Sequence, residues 1–207
     1  DSKPADPTKT GATFLGWYTG TVSGSGATAT VTYASTAYNF TTKVTSNITL
    51  YAKWDSREIT YVSDIALGTD YTAATGAYKY YPASGWTAAQ MPAPTHTGLT
   101  FAGWYKNRSE DGMTYSDKVT SIAANSGELT LYAKWTATLT FNSMGGSAVT
   151  SQDVIYNKTA TAPTAPTKTG WSLAGWYTST DGGTTLSETA FDFSETEITE
   201  NITLYAK

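Results

Sequence analysis

The chain has 207 residues, no cysteine, one histidine and a formal net charge of −4. The lack of thiols excludes disulfides, thiol catalysis and zinc–thiolate sites, and an acidic chain without a basic patch argues against nucleic acid as a partner. The 14% aromatic and 40% hydrophobic content excludes a disordered tail, and no apolar run approaches the roughly 18 residues that cross a bilayer.

Residues 1–54 form the first of three repeating units and begin without a leading pair of strands. Prolines fix φ and favour extended neighbours, whereas aromatic and alternating runs favour strands. In chain order, we predict an extended connection at residues 4–11, a strand at 13–18 containing Gly16-Trp17-Tyr18, a loop tip at 21–27, an alternating run at 28–33 and a closing strand at 47–54.

The closing strand at residues 47–54 alternates with period two, which indicates one buried and one exposed face. Ile48, Leu50, Ala52 and Trp54 share the apolar face. The glycine before each Trp of the Gly-Trp-Tyr signature lies inside a strand, so it predicts a bulge or the close approach of another segment.

Two signatures define the second and third units, residues 55–135 and 136–207: Gly-Trp-Tyr and the Leu-Tyr-Ala-Lys of the closing strand both recur there. The second has a divergent first half, rich in aromatic residues. The third contains a predicted hairpin, with strands at 138–142 and 152–156. Its Phe191-Asp192-Phe193 matches Tyr38-Asn39-Phe40 of the first unit as a shared core anchor, and 186–193 is the best candidate for a short helix. Periods above 50 residues favour small domains with separate cores.

The third unit closely resembles the internalin-type B repeat, also called the Listeria–Bacteroides repeat. The motifs that carry the resemblance are Thr140-Phe141-Asn142-Ser143, Gly145-Gly146, residues 163–170, Ala174-Gly175-Trp176-Tyr177, Phe191-Asp192-Phe193 and residues 202–207. The resemblance implies a β-rich α+β fold, with tandem small β-grasp (ubiquitin-like) domains in an elongated array. It also implies a secreted or wall-anchored bacterial cell-surface protein, and it brings no catalytic residues.

The residues themselves offer no catalytic constellation, so we expect a non-enzymatic protein without cofactor or metal. His96 lies where the other units have lysine, which indicates a solvated loop, and the carboxylates occur mostly in turns. Asp181-Gly182-Gly183 lacks the ligand series of a calcium loop. An internal isopeptide bond is disfavoured because Lys53 and Lys134 alternate onto polar strand faces.

Two functions remain. The first is a structural spacer or stalk that displays other domains, because only about four residues join consecutive units and short joins restrict bending. The alternative is an adhesive module that binds a host protein or glycan through the exposed aromatics of the second unit. The candidate ligand-binding residues are Tyr78, Tyr80, Tyr81 and Trp86, which have no counterpart in the third unit.

The incomplete first unit leads to one further expectation. A β-sheet that lacks its leading hairpin presents an open strand edge, and open edges pair with other chains. We therefore expect self-association through the open edge of residues 1–54. We expect no membrane insertion within this segment.

Overall fold

The computed structural model describes residues 2–25, 29–67 and 79–207, and this part of the chain is built from strands with almost no helix. A 3-10 helix occupies Ala88–Gln90. The described residues contain no helix of the length and apolarity that crossing a membrane requires. The strands are β1 (Ala12–Tyr18), β2 (Gly20–Ser23), β3 (Thr30–Tyr33), β4 (Tyr51–Ser56), β5 (Ile59–Val62), β6 (Thr100–Arg108), β7 (Tyr115–Val119), β8 (Leu129–Asn142), β9 (Gln152–Ile155), β10 (Lys158–Thr159), β11 (Trp176–Tyr177), β12 (Glu197–Ile198) and β13 (Ile202–Ala206).

The chain divides into two compact units, and the first lies within residues 1–60, 69–91 and 120–130. It contains two separate antiparallel pairs, β1 with β4 and β2 with β3. Part of the divergent first half of repeat 2 also lies in this unit, where backbone hydrogen bonds hold it in place. The Ile59 amide donates to the Lys79 carbonyl at 2.7 Å, and Trp86 and Ile122 exchange two bonds of 2.8 Å.

The second unit lies within residues 61–68, 92–119 and 131–207. Its sheet has the order β11-β13-β8-β6-β7, with β9 also paired to β8. β13 runs parallel to β8, whereas β6, β9 and β11 form antiparallel pairs. β8 is the central strand: its first part pairs with β6, and its last part pairs with β9 and β13.

The two repeated signatures pair with each other in the same register in all three repeats. The Trp of each Gly-Trp-Tyr lies opposite the Ala of Leu-Tyr-Ala-Lys, and each following Tyr lies opposite a Tyr. The Trp–Ala pairs are Trp17 with Ala52, Trp104 with Ala133 and Trp176 with Ala206. The signatures are therefore the two halves of one antiparallel ladder.

The glycine before the Trp is a bulge residue, as predicted. The register shifts between Phe14 and Gly16 in β1 and between Phe101 and Gly103 in β6. φ is 131° at Gly16 and 127° at Gly103, a region that side chains rarely adopt. A Cβ on Gly103 would come within 2.7 Å of the Lys118 side chain. The predicted close approach is thus also confirmed.

The segments predicted as a shared core anchor are only partly buried in repeats 1 and 3, but they make the same contacts in both. The amide of Tyr38 donates to the Trp17 carbonyl, and that of Phe191 donates to the Trp176 carbonyl, both at 2.7 Å. The two rings of each anchor meet edge to face at 5.1 Å and 5.0 Å. The same local structure therefore recurs in both repeats.

Burial differs sharply between the first and third repeats. Repeat 3 has a buried cluster contributed by β8, β9, β11, β12, β13 and the segment between them: Ala137, Leu139, Phe141, Val154, Ala160, Trp176, Ile198 and Leu204. Within the described part of residues 1–54, by contrast, no side chain is buried, and Phe14, Trp17 and Trp54 are half-buried. Repeat 1 thus has the ladder without a closed core.

Three local predictions were wrong. Residues 186–193 are irregular rather than helical; the turn that follows begins at Phe193, and Asp192 Oδ1 accepts bonds there from the amide and hydroxyl of Ser194. Gly20–Ser23, predicted in part as a loop tip, is strand β2 because it pairs with β3; residues 26–28 lie outside the described part. Ile48 was placed on a buried face but is 43% exposed.

Candidate functional site

The aromatic residues predicted as a ligand platform in repeat 2 do not share one environment. Tyr78 lies outside the described residues. Tyr81 is 1% exposed, and its hydroxyl donates to the Gly127 carbonyl at 2.9 Å. Burial raises the pKa of the Tyr81 phenol above its usual value. The Tyr81 ring is a core element, so it offers no face for stacking.

Tyr80 and Trp86 are half-buried and line a shallow cleft of about 430 Å³. The Tyr80 ring covers Gly11 so closely that no Cβ would fit there. The Lys79 ammonium lies 5.4 Å from the centre of the Tyr80 ring and 3.1 Å from Glu58. Part of the predicted surface therefore remains accessible, but each ring already has packing partners.

A more exposed aromatic residue lies in repeat 3, outside the ligand-binding surface predicted in repeat 2. Trp171 is 74% exposed. It follows the tight turn at Thr169-Gly170, with its amide bonded to the Lys168 carbonyl at 3.0 Å. A single exposed ring is common on protein surfaces, so the significance of Trp171 depends on the apolar recess beside it.

Trp171 borders a cavity of about 260 Å³, which we call the Trp171 pocket. Its walls are mainly apolar and include Met144, Pro166, Leu173, Leu186 and Ala206, with Lys168 and Lys207 also at the lining. The Lys168 ammonium lies 5.2 Å from the Trp171 ring centre and donates to the Met144 carbonyl at 2.7 Å. The indole position is thereby supported from one side.

The Trp171 pocket combines an apolar recess, a planar ring and two cations, which is the composition of a small-ligand site. Such a surface can hold an apolar ring face by stacking while an ammonium group binds an oxygen. A signal for it was present in the sequence. The corresponding positions in repeats 1 and 2 carry Ala12 and Leu99, so Trp171 is a non-repeated aromatic residue, just as Trp86 is.

One surface feature recurs in all three repeats: a lysine lies over a tyrosine ring. The lysine of each Leu-Tyr-Ala-Lys signature lies over the tyrosine of the paired Gly-Trp-Tyr signature. The ammonium-to-centroid distances are 4.8 Å for Lys53 and Tyr18, 5.8 Å for Lys134 and Tyr105, and 5.0 Å for Lys207 and Tyr177. This cation–π packing occupies the lysines that were considered for an isopeptide bond.

The remaining polar candidates form local turns. His96 is exposed, and its Nδ1 lies 2.8 Å from the Thr97 carbonyl oxygen. Asp181 Oδ1 accepts bonds from Ser179 Oγ at 2.7 Å and from the Thr185 amide at 2.8 Å. These bonds hold the turn closed. Within residues 2–25, 29–67 and 79–207, no group of three or more potential metal ligands comes together.

Comparison with known proteins gives one family and several relatives. A sequence model of the Listeria-Bacteroides repeat domain matches residues 2–53, 58–134 and 138–207. A protein of Evansella cellulosilytica, whose name describes it as a membrane protein, is 32% identical over 210 residues, covering 99% of this chain and 28% of that protein. Another from the same organism, named as a Gly-rich membrane protein, is 31% identical over 212 residues, covering 100% of this chain and 21% of that protein.

A third relative is Internalin H of Listeria monocytogenes serovar 1/2a, which is 37% identical over 119 residues, covering 56% of this chain and 20% of that protein. The chain spans less than a third of the length of each of these three relatives. No solved structure matches the chain.

Proposed function

This chain belongs to the Listeria–Bacteroides repeat family, and from that membership we propose that it is a non-enzymatic spacer, or stalk, of a secreted or wall-anchored bacterial surface protein. In this role the repeats hold other domains away from the cell. The names of the relatives, two membrane proteins and an internalin, support an extracellular location at the cell surface.

The observation that carries the proposal is the shared strand β8. Its first part pairs with β6 of repeat 2, from Thr136 back to Tyr132, and its last part pairs with β13 of repeat 3, from Leu139 to Asn142. A paired strand cannot rotate about its backbone as a Gly/Ser linker does. Repeats 2 and 3 are therefore joined without a hinge.

Contacts beside β8 brace the same junction. Lys158 Nζ of repeat 3 donates to the Asp111 carbonyl of repeat 2. The amide of Tyr156 donates to the Trp135 carbonyl at 3.0 Å, which also ties the two repeats together. A spacer must resist bending at each joint, and these two contacts reinforce the joint that the shared strand β8 forms.

The topology of repeat 3 supports a β-grasp fold for the complete unit. Its strands have the order β9-β8-β13-β11, and the central pair, β8 and β13, is parallel while the outer pairs are antiparallel. That arrangement corresponds to a leading hairpin followed by a crossover to a parallel closing strand. Residues 160–175 make the crossover without a helix.

The test is a distance measurement between repeats 2 and 3. The chain has no cysteine, so Lys106→Cys and Glu195→Cys, both at exposed positions, would carry spin labels cleanly. We expect a narrow distance distribution. A Gly-Ser-Gly-Ser insert after Thr136 should broaden it, whereas the same insert after Asp181, in an exposed turn, should not. A broad distribution in the uninserted chain would refute the spacer.

The second candidate function is adhesion to a glycan or host protein, and the exposure of Trp171 favours it. Trp171→Ala should weaken binding on a glycan array by about fivefold, since an aromatic stacking contact of this kind contributes about 1 kcal/mol. Tyr80→Ala and Trp86→Ala are the matched variants in repeat 2. If those two lose binding and Trp171→Ala does not, adhesion belongs to the predicted surface of repeat 2.

A further inference from the structure

Arg57 is the one charged side chain that is buried among the described residues, with 9% of its surface exposed. A buried guanidinium costs free energy unless an opposite charge or several hydrogen bonds compensate it. No carboxylate of the described residues forms an ion pair with Arg57. Arg108 provides the contrast, because its guanidinium is paired with the Asp64 carboxylate at 2.8 Å. Arg57 therefore carries a charge that the described part of the chain does not balance.

The guanidinium of Arg57 also has a donor without an acceptor. Its Nη2 donates to the Ala12 carbonyl at 3.3 Å, whereas its Nε is buried and has no partner within residues 2–25, 29–67 and 79–207. The backbone at this position is fixed, because the Arg57 amide donates to the Gly11 carbonyl at 2.8 Å and the Arg57 carbonyl accepts a bond from the Tyr81 amide at 3.3 Å. An unsatisfied buried N–H is uncommon in folded proteins and calls for a specific explanation. A bound acceptor provides one here.

Arg57 lines the same cleft as Tyr80 and Trp86. The cleft volume of about 430 Å³ falls in the range of small-ligand sites, about 300–1,000 Å³. The fold holds its frame in place: the Tyr81 ring is 1% exposed and lies 6.5 Å from the Trp86 ring centre, and the Trp86 backbone exchanges two 2.8 Å bonds with Ile122. A preformed site binds its ligand without a large ordering cost.

The charges at the cleft favour a single carboxylate as the ligand group. The Lys79 ammonium, beside the Tyr80 ring, is already paired with Glu58 at 3.1 Å. Arg57 is the lining residue that brings a positive charge without a described counter-charge. The planar fork of a guanidinium matches the two coplanar oxygens of a carboxylate. A polyanion is disfavoured, because the chain has a net charge of −4.

The aromatic rings at the cleft define the body of the ligand. Tyr80 and Trp86 are half-buried, so part of each side chain is accessible there. Aromatic side chains offer large apolar faces, and the C–H face of a sugar ring packs on such surfaces. A carboxylate and a C–H face occur together in a uronic acid and in other acidic sugars. The cleft therefore offers a complementary group to each half of one acidic monosaccharide.

We propose that this cleft binds a carboxylated sugar residue of a glycan. The Arg57 Nε–H and one of its Nη–H groups donate to the two carboxylate oxygens, and the sugar ring packs against Trp86 and Tyr80. The inference rests on adhesion, the second candidate function above, to which it adds a ligand class and an anchoring residue. The sequence analysis named the aromatic rings but missed Arg57, because burial and the lack of a described partner cannot be read from the sequence.

The direct test is an NMR titration of the full chain with methyl glucuronide, beside methyl glucoside, which lacks the charge. The Arg57 Nε–H signal reports hydrogen bonding in the unmodified chain, so this measurement needs no substitution. We expect saturable binding of the glucuronide with a shift of the Arg57 Nε–H signal, while the Arg108 Nε–H signal stays unchanged. The glucoside should bind about tenfold more weakly or worse, since a hydrogen-bonded charge is lost.

Substitutions separate recognition of the carboxylate from packing of the sugar ring. Arg57→Lys keeps the charge but loses the planar fork, and it should weaken glucuronide binding by about tenfold. Arg108→Lys is the matched control, because Asp64 already pairs with that guanidinium, and it should leave binding unchanged. Trp86→Ala should weaken glucuronide binding by about fivefold. Circular dichroism checks that each variant is folded.

Three results would overturn the proposal. Equal affinity for the glucuronide and the glucoside, or an unmoved Arg57 Nε–H signal, would leave adhesion in place but remove the acidic ligand. Binding of N-acetyl-aspartate amide as tight as that of the glucuronide would assign the cleft to an acidic protein partner. If no sugar binds at the cleft, the site itself is refuted, and the glycan array with Trp171→Ala then decides separately whether the chain is adhesive.

Discussion

At the scale of single residues, the turn around Asp181 shows how hydrogen bonds set a charge. The carboxylate accepts bonds from the Thr185 amide and the Ser179 hydroxyl, and these bonds favour the ionised form. They lower the pKa of Asp181 from 3.8 to about 2. Because the folded pKa is depressed, the stabilisation is complete above the unfolded value near 3.8 and is lost as the pH falls through about 2.

An NMR titration of the Asp181 carboxyl should therefore give a midpoint near 2. Ser179→Ala removes the hydroxyl donor to the carboxylate and should move the midpoint upward toward 3.8. In Ser179→Ala, the turn should also open at a higher pH than in the parent chain. A midpoint at or above 3.8 in the unmodified chain would contradict the turn geometry.

Two adjacent glycines in the same turn provide a matched pair. Gly182 and Gly183 both have positive φ, 75° and 96°. A Cβ on Gly182 meets nothing within 4 Å, whereas one on Gly183 would lie 2.6 Å from the Tyr205 ring. Gly182→Ala should cost about 1–2 kcal/mol of unfolding free energy from backbone strain alone. Gly183→Ala should cost clearly more, as measured by urea denaturation; equal costs would show that the Tyr205 ring yields freely.

The sequence predicted some individual residues well and others poorly, for identifiable reasons. A glycine inside an aromatic strand has few structural uses, so the bulges at Gly16 and Gly103 could be anticipated. Whether an aromatic ring is exposed depends on what covers it, which sequence alone does not specify. Tyr81 is buried beside a segment 46 positions away, where the Gly127 carbonyl accepts a hydrogen bond from its hydroxyl. Trp171 is exposed because no described segment covers its turn.

At the scale of elements, pairing partners decide whether a strand forms. The closing segment of repeat 1 has the same seven residues as that of repeat 3, yet only the latter is a strand from its second residue onward. Local propensity could not separate the two copies. Similarly, Gly20–Ser23 looks like a loop by composition and becomes β2 because β3 pairs along its whole length.

The identical segments also allow a controlled test of burial. Leu204 is fully buried in the core of repeat 3, where β13 pairs with β8, whereas no described strand pairs with Leu50, which is half-buried. Leu204→Ala should therefore cost about 2–5 kcal/mol, the range for a buried leucine, and Leu50→Ala should cost markedly less. Thermal unfolding followed by circular dichroism would measure both. A larger loss from Leu50→Ala would show that repeat 1 has a closed core in solution.

At the scale of the whole molecule, three repeats in the sequence do not correspond to three separate structural units. We predicted repeat boundaries after residues 54 and 135, and strand β8 runs from Leu129 to Asn142 across the second of these positions. The signal was available, because the buried positions Leu131, Ala133 and Trp135 continue in phase to Ala137, Leu139 and Phe141. The alternation of buried residues therefore continues past the end of the repeat 2 motif, in one strand that contributes to both repeats.

A shared strand couples the stability of the two repeats that it joins. Leu139→Ala removes a fully buried side chain from the repeat 3 part of β8. If β8 behaves as one element, the loss should also lower amide-exchange protection in β6, which pairs only with the repeat 2 part, from Tyr132 to Thr136. Coupled opening is expected because elements that share hydrogen bonds unfold as one cooperative unit. Glu188→Gln, an exposed change in the same repeat, is the control and should leave β6 unaffected. Unchanged protection of β6 in Leu139→Ala would mean that the two halves of β8 open independently, and a spacer built on this strand would then bend at its middle.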